Sequence, residues 1–315
     1  MKHIFIIDPK PFLGQQWKID GLLDSIGQYF RTQRRPNFST LIIKYSREAM
    51  HLIQDQINET EKGELVRVYA VGGDKIVFDC LNGIAGLPNT ELAIMPHGIT
   101  NNFIRSFGDD NVKLFNDIQS IVSSPAIPTD IIEAGNNYAI NGCAVGFFPA
   151  INTKMVPINA KIGKGIGIMR LMTSLAALFN KEIVACQYKI SIDGNDYSGH
   201  YSLIMVANGT YFGQKKIALP DVLPDDGFLD VILFKSAGIV PTLWSFWSYS
   251  FGKVPSNGIR LQAKKIIINS DMPMWIQTDS EYFLDTRIAL SIIPGAVRVV
   301  SVNNLTYLTY QRFQR

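Results

Sequence analysis

The chain has 315 residues, of which 47% are hydrophobic and 18% charged, and its formal net charge is +3. That length is enough for two domains, the composition excludes a disordered chain, and so small a charge without any Lys/Arg run leaves no basic stripe for nucleic acid. Three widely separated cysteines, Cys80, Cys143 and Cys186, offer neither a disulfide framework nor a zinc site.

In chain order, the spacing predicts a strand over His3–Ile7, a helix over Ile19–Phe30 and a strand over Thr40–Tyr45. A helix over Ser46–Asn58 follows, with Ala49, Leu52, Ile53 and Ile57 on one face. The strand Val66–Val71 then runs into Gly72-Gly73-Asp74 and a further helical pattern. That order places two backbone amides without Cβ shielding, and one carboxylate, at the carboxyl end of a strand, where α/β proteins bind phosphates. Leu92–Met95 is the next strand, with Pro96 and Gly98 in its turn and a helix beginning near Thr100. Strand and helix in alternation predict a parallel sheet covered on both faces.

From about Ile127 the pattern changes to closely spaced strands. Asn136-Asn137 and Asp193-Gly194 read as hairpin turns, and runs at Phe228–Phe234, Leu261–Ile268, Ile288–Ile293 and Val297–Val302 add strands. Two helical stretches are expected here, Ile166–Phe179 and the aromatic segment 237–251 with Trp244 and Trp247. The aromatic segment reads as packed on a sheet or as a membrane-interface element. No run approaches the length of a membrane span. The N-terminus lacks a signal-peptide pattern, so the expected location is cytoplasmic.

Four ordered segments resemble the diacylglycerol kinase catalytic family, which includes bacterial lipid kinases and sphingosine kinases. Gly72-Gly73-Asp74 and Asn82-Gly83 match its GGDGT loop and the following helix with its NG turn, with Lys75 and Ile76 in place of Gly and Thr. Residues 95–108 resemble its P-x-G-T-x-N-D-F-A-R segment through Pro96, Gly98, Asn101, Phe103 and Arg105, with Ile99 and Asn102 substituted. Residues 219–234 resemble its P-x-A-x-x-D-D-G-x-L-D segment, and Asp279-Ser280-Glu281 stands in place of its Asp-Gly-Glu. The family's opening N-P-x-S-G is here Asp8-Pro9-Lys10-Pro11-Phe12.

The resemblance implies an α/β plus mainly β fold. A parallel-sheet α/β nucleotide-binding domain takes residues 1–126 with a tail from about 303 to 315. An antiparallel, sandwich-like lipid-substrate domain takes 127–302, with a cleft between the two. It further implies an ATP- and Mg²⁺-dependent kinase phosphorylating a lipid hydroxyl of the diacylglycerol type, in phospholipid metabolism and peripheral at a membrane surface. Glu281, Asp279 and Asp74 are the implied catalytic residues. Asp8, Pro9, Gly72, Gly73, Asp74, Lys75, Gly98 and Asn101 are implied at the nucleotide, and Leu223, Asp226 and Phe228 at the metal. The alternative is a catalytically impaired member that binds lipid or nucleotide. A homo-oligomer is left open.

Overall fold

The computed structural model describes residues 1–32, 37–45, 47–98, 100–150, 153, 186–211, 219, 221–236 and 258–307. The segments 166–179 and 237–251, and Ile99, lie outside them.

The amino-terminal half alternates β1 (Lys2–Ile7), α1 (Gln16–Arg31), β2 (Phe38–Ile42), α2 (Glu48–Asn58), β3 (Val66–Gly72), α3 (Asp74–Ile84) and β4 (Thr90–Pro96). The strands run parallel in the order β4-β3-β1-β2. β3 and β4 are buried along their whole length, as parallel strands covered on both faces must be. Helix α1 packs through Ile19, Ile26 and Phe30, and α2 through Ala49 and Ile53. Between β3 and β4, Arg67 and Glu91 form a buried ion pair at 2.7 Å.

The helix expected from Thr100 is instead two 3-10 turns, Phe103–Phe107 and Asp109–Asn116. Gly108, at φ +101°, separates them, a backbone conformation that no α-helix accommodates. The short helix α4 (Ile118–Ser123) follows, with the Asp117 carboxylate accepting from the Ser120 amide at its N-cap.

The second half comprises β5 (Ala126–Ala134), β6 (Asn137–Ala139), β7 (Gly142–Gly146), β8 (Cys186–Ile192), β9 (Asn195–Asp196), β10 (Gly199–Ala207), β11 (Leu229–Lys235), β12 (Gly258–Ala263), β13 (Lys265–Thr278) and β14 (Glu281–Val300). Their mutual pairings are antiparallel. Asp193 and Gly194, at φ +47° and +85°, make the expected two-residue hairpin. The turn into β6 falls one residue earlier than Asn136-Asn137, at Gly135-Asn136, because Gly135 takes φ +61°. The run Leu261–Ile268 is split by Lys264 between β12 and β13.

The expected strand Ile288–Ile293 and residues 297–300 of the expected Val297–Val302 belong to one long strand, β14, whose register against β5 shifts between Ile293 and Val297, while Val302 opens the 3-10 turn Val302–Asn304. The shift sits at Pro294-Gly295, where a residue without an amide hydrogen interrupts a ladder. β14 pairs with β13 and β5, and meets β4 in parallel at Val299 and Leu92. The sheet therefore runs from one half into the other. Two hydrophobic clusters flank this junction. One gathers β1 to β4, their helices, Val297, Val299, Val300, Val302 and Tyr307; the other gathers β7, β8, β10, β11 and β13.

Candidate active site

Parallel strands β1, β3 and β4 end at one edge, and the loops that leave them form the first wall of the site. The carbonyl of Gly72 accepts from the amides of His97 and Gly98, both at 2.9 Å, and the carbonyl of Thr100 accepts from the Asp74 amide at 3.2 Å. A Cβ on Gly98 would stand 2.3 Å from Gly73 Cα, so two backbones cross here without side chains between them. A Cβ on Gly72 would meet Ile76 Cγ2 at 2.8 Å and Asp8 Cβ at 3.1 Å. The glycines serve the chain's own packing as well as any ligand.

Ile76 is fully buried in the amino-terminal core. Its methyl covers Gly72 where the resembling family carries a hydroxyl. Asp8 is also buried, with its Oδ1 accepting from the Lys10 amide at 3.0 Å, and Pro9 leads into the 3-10 turn Lys10–Phe12. Asn101 folds back on its own loop, its side-chain amide donating to the Gly98 carbonyl at 2.8 Å.

Asp74 opens α3. Its two carboxylate oxygens accept from the backbone and side-chain amides of Asn102, each at 2.8 Å. Burial raises its pKa above the ordinary value against the pull of those donors and of Arg105. Asn82 and Gly83, expected at a turn, lie within α3. Asn82 ties the helix to β6 through the carbonyl and amide of Tyr138, and Gly83 lets Ile53 of α2 approach.

The second wall is the β13–β14 hairpin. Asp279, in its turn at φ +47°, accepts from the consecutive amides of Ile140, Asn141 and Gly142 at 2.8, 3.0 and 2.8 Å. Burial nevertheless pushes its pKa up to about 7, and the nearby Asp74 charge adds to the effect. The Lys75 ammonium, from α3, reaches across to the Glu281 carboxylate and also contacts Asp79 Oδ1 at 3.2 Å. Arg47 holds the other Glu281 oxygen at 3.1 Å. Burial raises the Glu281 pKa, but Lys75 and Arg47 outweigh it and hold the group below the usual range. A cavity of about 620 Å³ opens beside Glu281, lined by Arg47, Gly135, Tyr282, Phe283, Arg287 and Ile288 among others.

The turn carrying Asp226 is stapled separately. Asp130 on β5 accepts from the amides of Gly227 and Gly295, both at 2.7 Å, and the Asp226 carboxylate accepts from the Phe228 amide at 3.0 Å. Burial, then the charges of Asp230, Asp130 and Asp225, raises the Asp226 pKa against that amide. Among the described residues no three carboxylates, imidazoles or thiols converge on a metal-sized point. Arg47, Asp130, Asn141 and Gln277 have no motif to mark them in the sequence, and Asn102 is marked only as a departure from one. Their partners lie far along the chain.

Two family profiles match in tandem: the diacylglycerol kinase catalytic domain over residues 6–134, and the YegS C-terminal NAD kinase beta sandwich-like domain over residues 171–301. The chain belongs to the diacylglycerol-kinase-like lipid kinase family. A candidate lipid kinase of Staphylococcus aureus (strain JH9) is 28% identical over 248 residues, covering 76% of this chain and 78% of that protein. A relative from Staphylococcus aureus (strain bovine RF122 / ET3-1) matches to the same extent, 28% over 248 residues. Among solved structures, a candidate diacylglycerol kinase from Bacillus anthracis str. Sterne superposes with a TM-score of 0.71 at 25% identity, covering 96% of this chain and 97% of that one. The family's two-part fold, α/β followed by a β-rich domain, is the fold described above. No helix among the described residues is long and apolar enough to cross a membrane.

Proposed function

We propose that this lipid kinase family member transfers the terminal phosphoryl group of ATP, with Mg²⁺, to the hydroxyl of a diacylglycerol-like lipid. In this reading the domains divide near residue 126, and the chain works peripherally at a membrane surface inside the cell. The observation that carries the reading is the meeting of α3 and Glu281 across the gap between the two halves, with the 620 Å³ cavity beside that carboxylate for the acceptor.

Asp8, Pro9, Gly72, Gly73 and Gly98 line the edge where the nucleotide phosphates would lie, and the positive end of the α3 dipole faces that edge. Glu281 takes the proton of the attacking hydroxyl as the oxygen–phosphorus bond forms, and ADP leaves. Leu223 and Phe228 would supply backbone oxygens and Asp226 a carboxylate to a magnesium ion, an oxygen-only set that suits a hard cation and that the neighbouring Asp130, Asp225 and Asp230 favour. When bound there, the ion would have a structural role, offsetting the clustered carboxylates of this turn. Asp74 and Asp279 hold the loops that frame both groups.

The test is transfer of labelled phosphate from ATP into a lipid extract. Transfer by the wild type that falls at least about a hundredfold in Glu281→Gln is expected. No transfer across a broad lipid panel overturns the reading. A second reading, a member that binds but turns over poorly, is favoured by one feature: Lys75 and Arg47 both ion-pair with Glu281 while Ile76 replaces a phosphate-facing hydroxyl. Micromolar ATP binding by calorimetry, without transfer, would select it.

A further inference from the structure

Between the two walls lies a narrow, partly open pocket with about 20 Å³ of room at its floor, lined by Asp74, Asn102, Asn141, Gln277 and Asp279, with Val77, Phe103 and Ile140 on its apolar side. The volume admits one water or one bare ion. Among the described residues neither carboxylate is in an ion pair, although Glu281, two residues beyond Asp279, has two cations. Two buried carboxylates this close, with Arg105 acting on Asp74 only without a direct ion pair, are costly.

The amide side chains repeat the imbalance. Gln277 and Asn141 are 7% and 6% exposed, yet Gln277 Oε1, Asn141 Oδ1 and Asn102 Oδ1 are buried acceptors without a hydrogen-bond partner. Their amide nitrogens are all engaged, to the Asp279 carbonyl, the Tyr211 carbonyl and the Asp74 carboxylate respectively. Gly209 leaves Asn141 Oδ1 uncovered, since a Cβ there would stand 2.2 Å from it. The carboxylates also have capacity to spare. Of roughly four acceptor positions each, Asp279 uses three on backbone amides, and Asp74 uses three on Asn102 and Thr100.

We propose that this cavity binds a single, largely dehydrated hard cation of the Ca²⁺ or Mn²⁺ kind, held by Asp74, Asp279 and the side-chain oxygens of Asn102, Asn141 and Gln277. The donor set is oxygen throughout, mixing carboxylates with neutral amides in irregular array, which Ca²⁺ accepts. Mg²⁺ gives up its water reluctantly, and a space for one water leaves its hydration shell no room. The ion joins α3, the loop after β4, the β6–β7 turn and the β13–β14 hairpin. The site is distinct from the Asp226 turn, and its occupancy can be read without turnover.

The test uses full-length protein stripped with EDTA, without nucleotide, and Mn²⁺ followed by electron paramagnetic resonance. Thermal melts in Mg²⁺, Ca²⁺ and Mn²⁺ accompany the titration. One tightly bound Mn²⁺ per chain is expected, retained in Asp226→Asn and weakened about tenfold or more in Gln277→Met, with melting temperature rising more in Ca²⁺ than in Mg²⁺. Absence of Mn²⁺ binding and of any cation-dependent rise overturns the proposal, as does binding abolished by Asp226→Asn and indifferent to Gln277→Met. If Gln277→Met does not fold, anomalous scattering from Mn²⁺-soaked wild-type crystals decides: a peak between Asp74 and Asp279 supports the site, and a peak at Asp226 alone rejects it.

Discussion

Lys75 stands where the family's loop has Gly, and it spends its charge on Glu281 instead of on a phosphate. A carboxylate whose folded pKa is depressed adds stability above its unfolded pKa of about 4.3, and that contribution is lost as pH falls through the folded value. Lys75→Met should therefore cost about 1 kcal/mol at pH 7 in urea titrations, and the difference from wild type should vanish well below pH 4. In the transfer assay the same variant should move the acid limb of kcat/KM to higher pH, because Glu281 must be ionised to accept a proton and has lost its main cation. An unmoved limb would show that Glu281 is not the titrating group. Asp279 behaves in the opposite sense. Its folded pKa of about 7 lies above the unfolded value of about 3.9, so its contribution is complete below that lower value and is lost as pH rises towards 7. In EDTA, wild-type urea midpoints should fall across that window, and Asp279→Asn should lack the slope. The carboxylates and glycines were legible in the sequence as short ordered patterns. Their partners were not, since Asn102 lies 28 residues from Asp74 and Arg47 lies 234 from Glu281, and no local period links them.

At the scale of the element, the loops after β3 and β4 function as one piece because Gly73 and Gly98 touch. Gly98→Ala drives a methyl into the Gly73 backbone, which has no flexible end to yield. A loss of about 2 kcal/mol or more is expected by chemical denaturation, whereas Gly21→Ala, with open space around it on α1, should be neutral or slightly stabilising. Equal effects at the two positions would mean that the loops do not pack as described. The alternating strands and helices of the first half were readable from periodicity, with β3 starting and α2 ending at the expected residues. The helix after β4 was misread because Asn102 is bound to Asp74 and Gly108 takes a left-handed turn, neither of which changes the apolar spacing. Two apolar runs separated by Pro294-Gly295 read as two strands in sequence. Asp130 holds the Gly295 amide and keeps them one strand.

For the whole molecule, β14 and its partner β5 contribute to both cores. Cys80 in α3 and Cys143 in β7 are buried on opposite sides of the junction, and burial raises both thiols well above their ordinary pKa. Neither should react with a thiol reagent in the native state, and both should become reactive at the same urea concentration if the halves unfold together. Separate midpoints would show two independent units. The two-part architecture was readable from the change of grammar near residue 127. That the halves are joined through the last long strand was not, because pairing between residues as distant as Leu92 and Val299 leaves no trace in either run.

That late strand has a consequence for biosynthesis. Val297, Val299, Val300, Val302 and Tyr307 fill the amino-terminal core, so the β4 edge that faces away from β3 waits for its partner until Val299 has left the ribosome. The first half cannot finish maturing vectorially, ahead of the second. A nascent chain stalled before residue 281 would display an open apolar edge that invites chaperones.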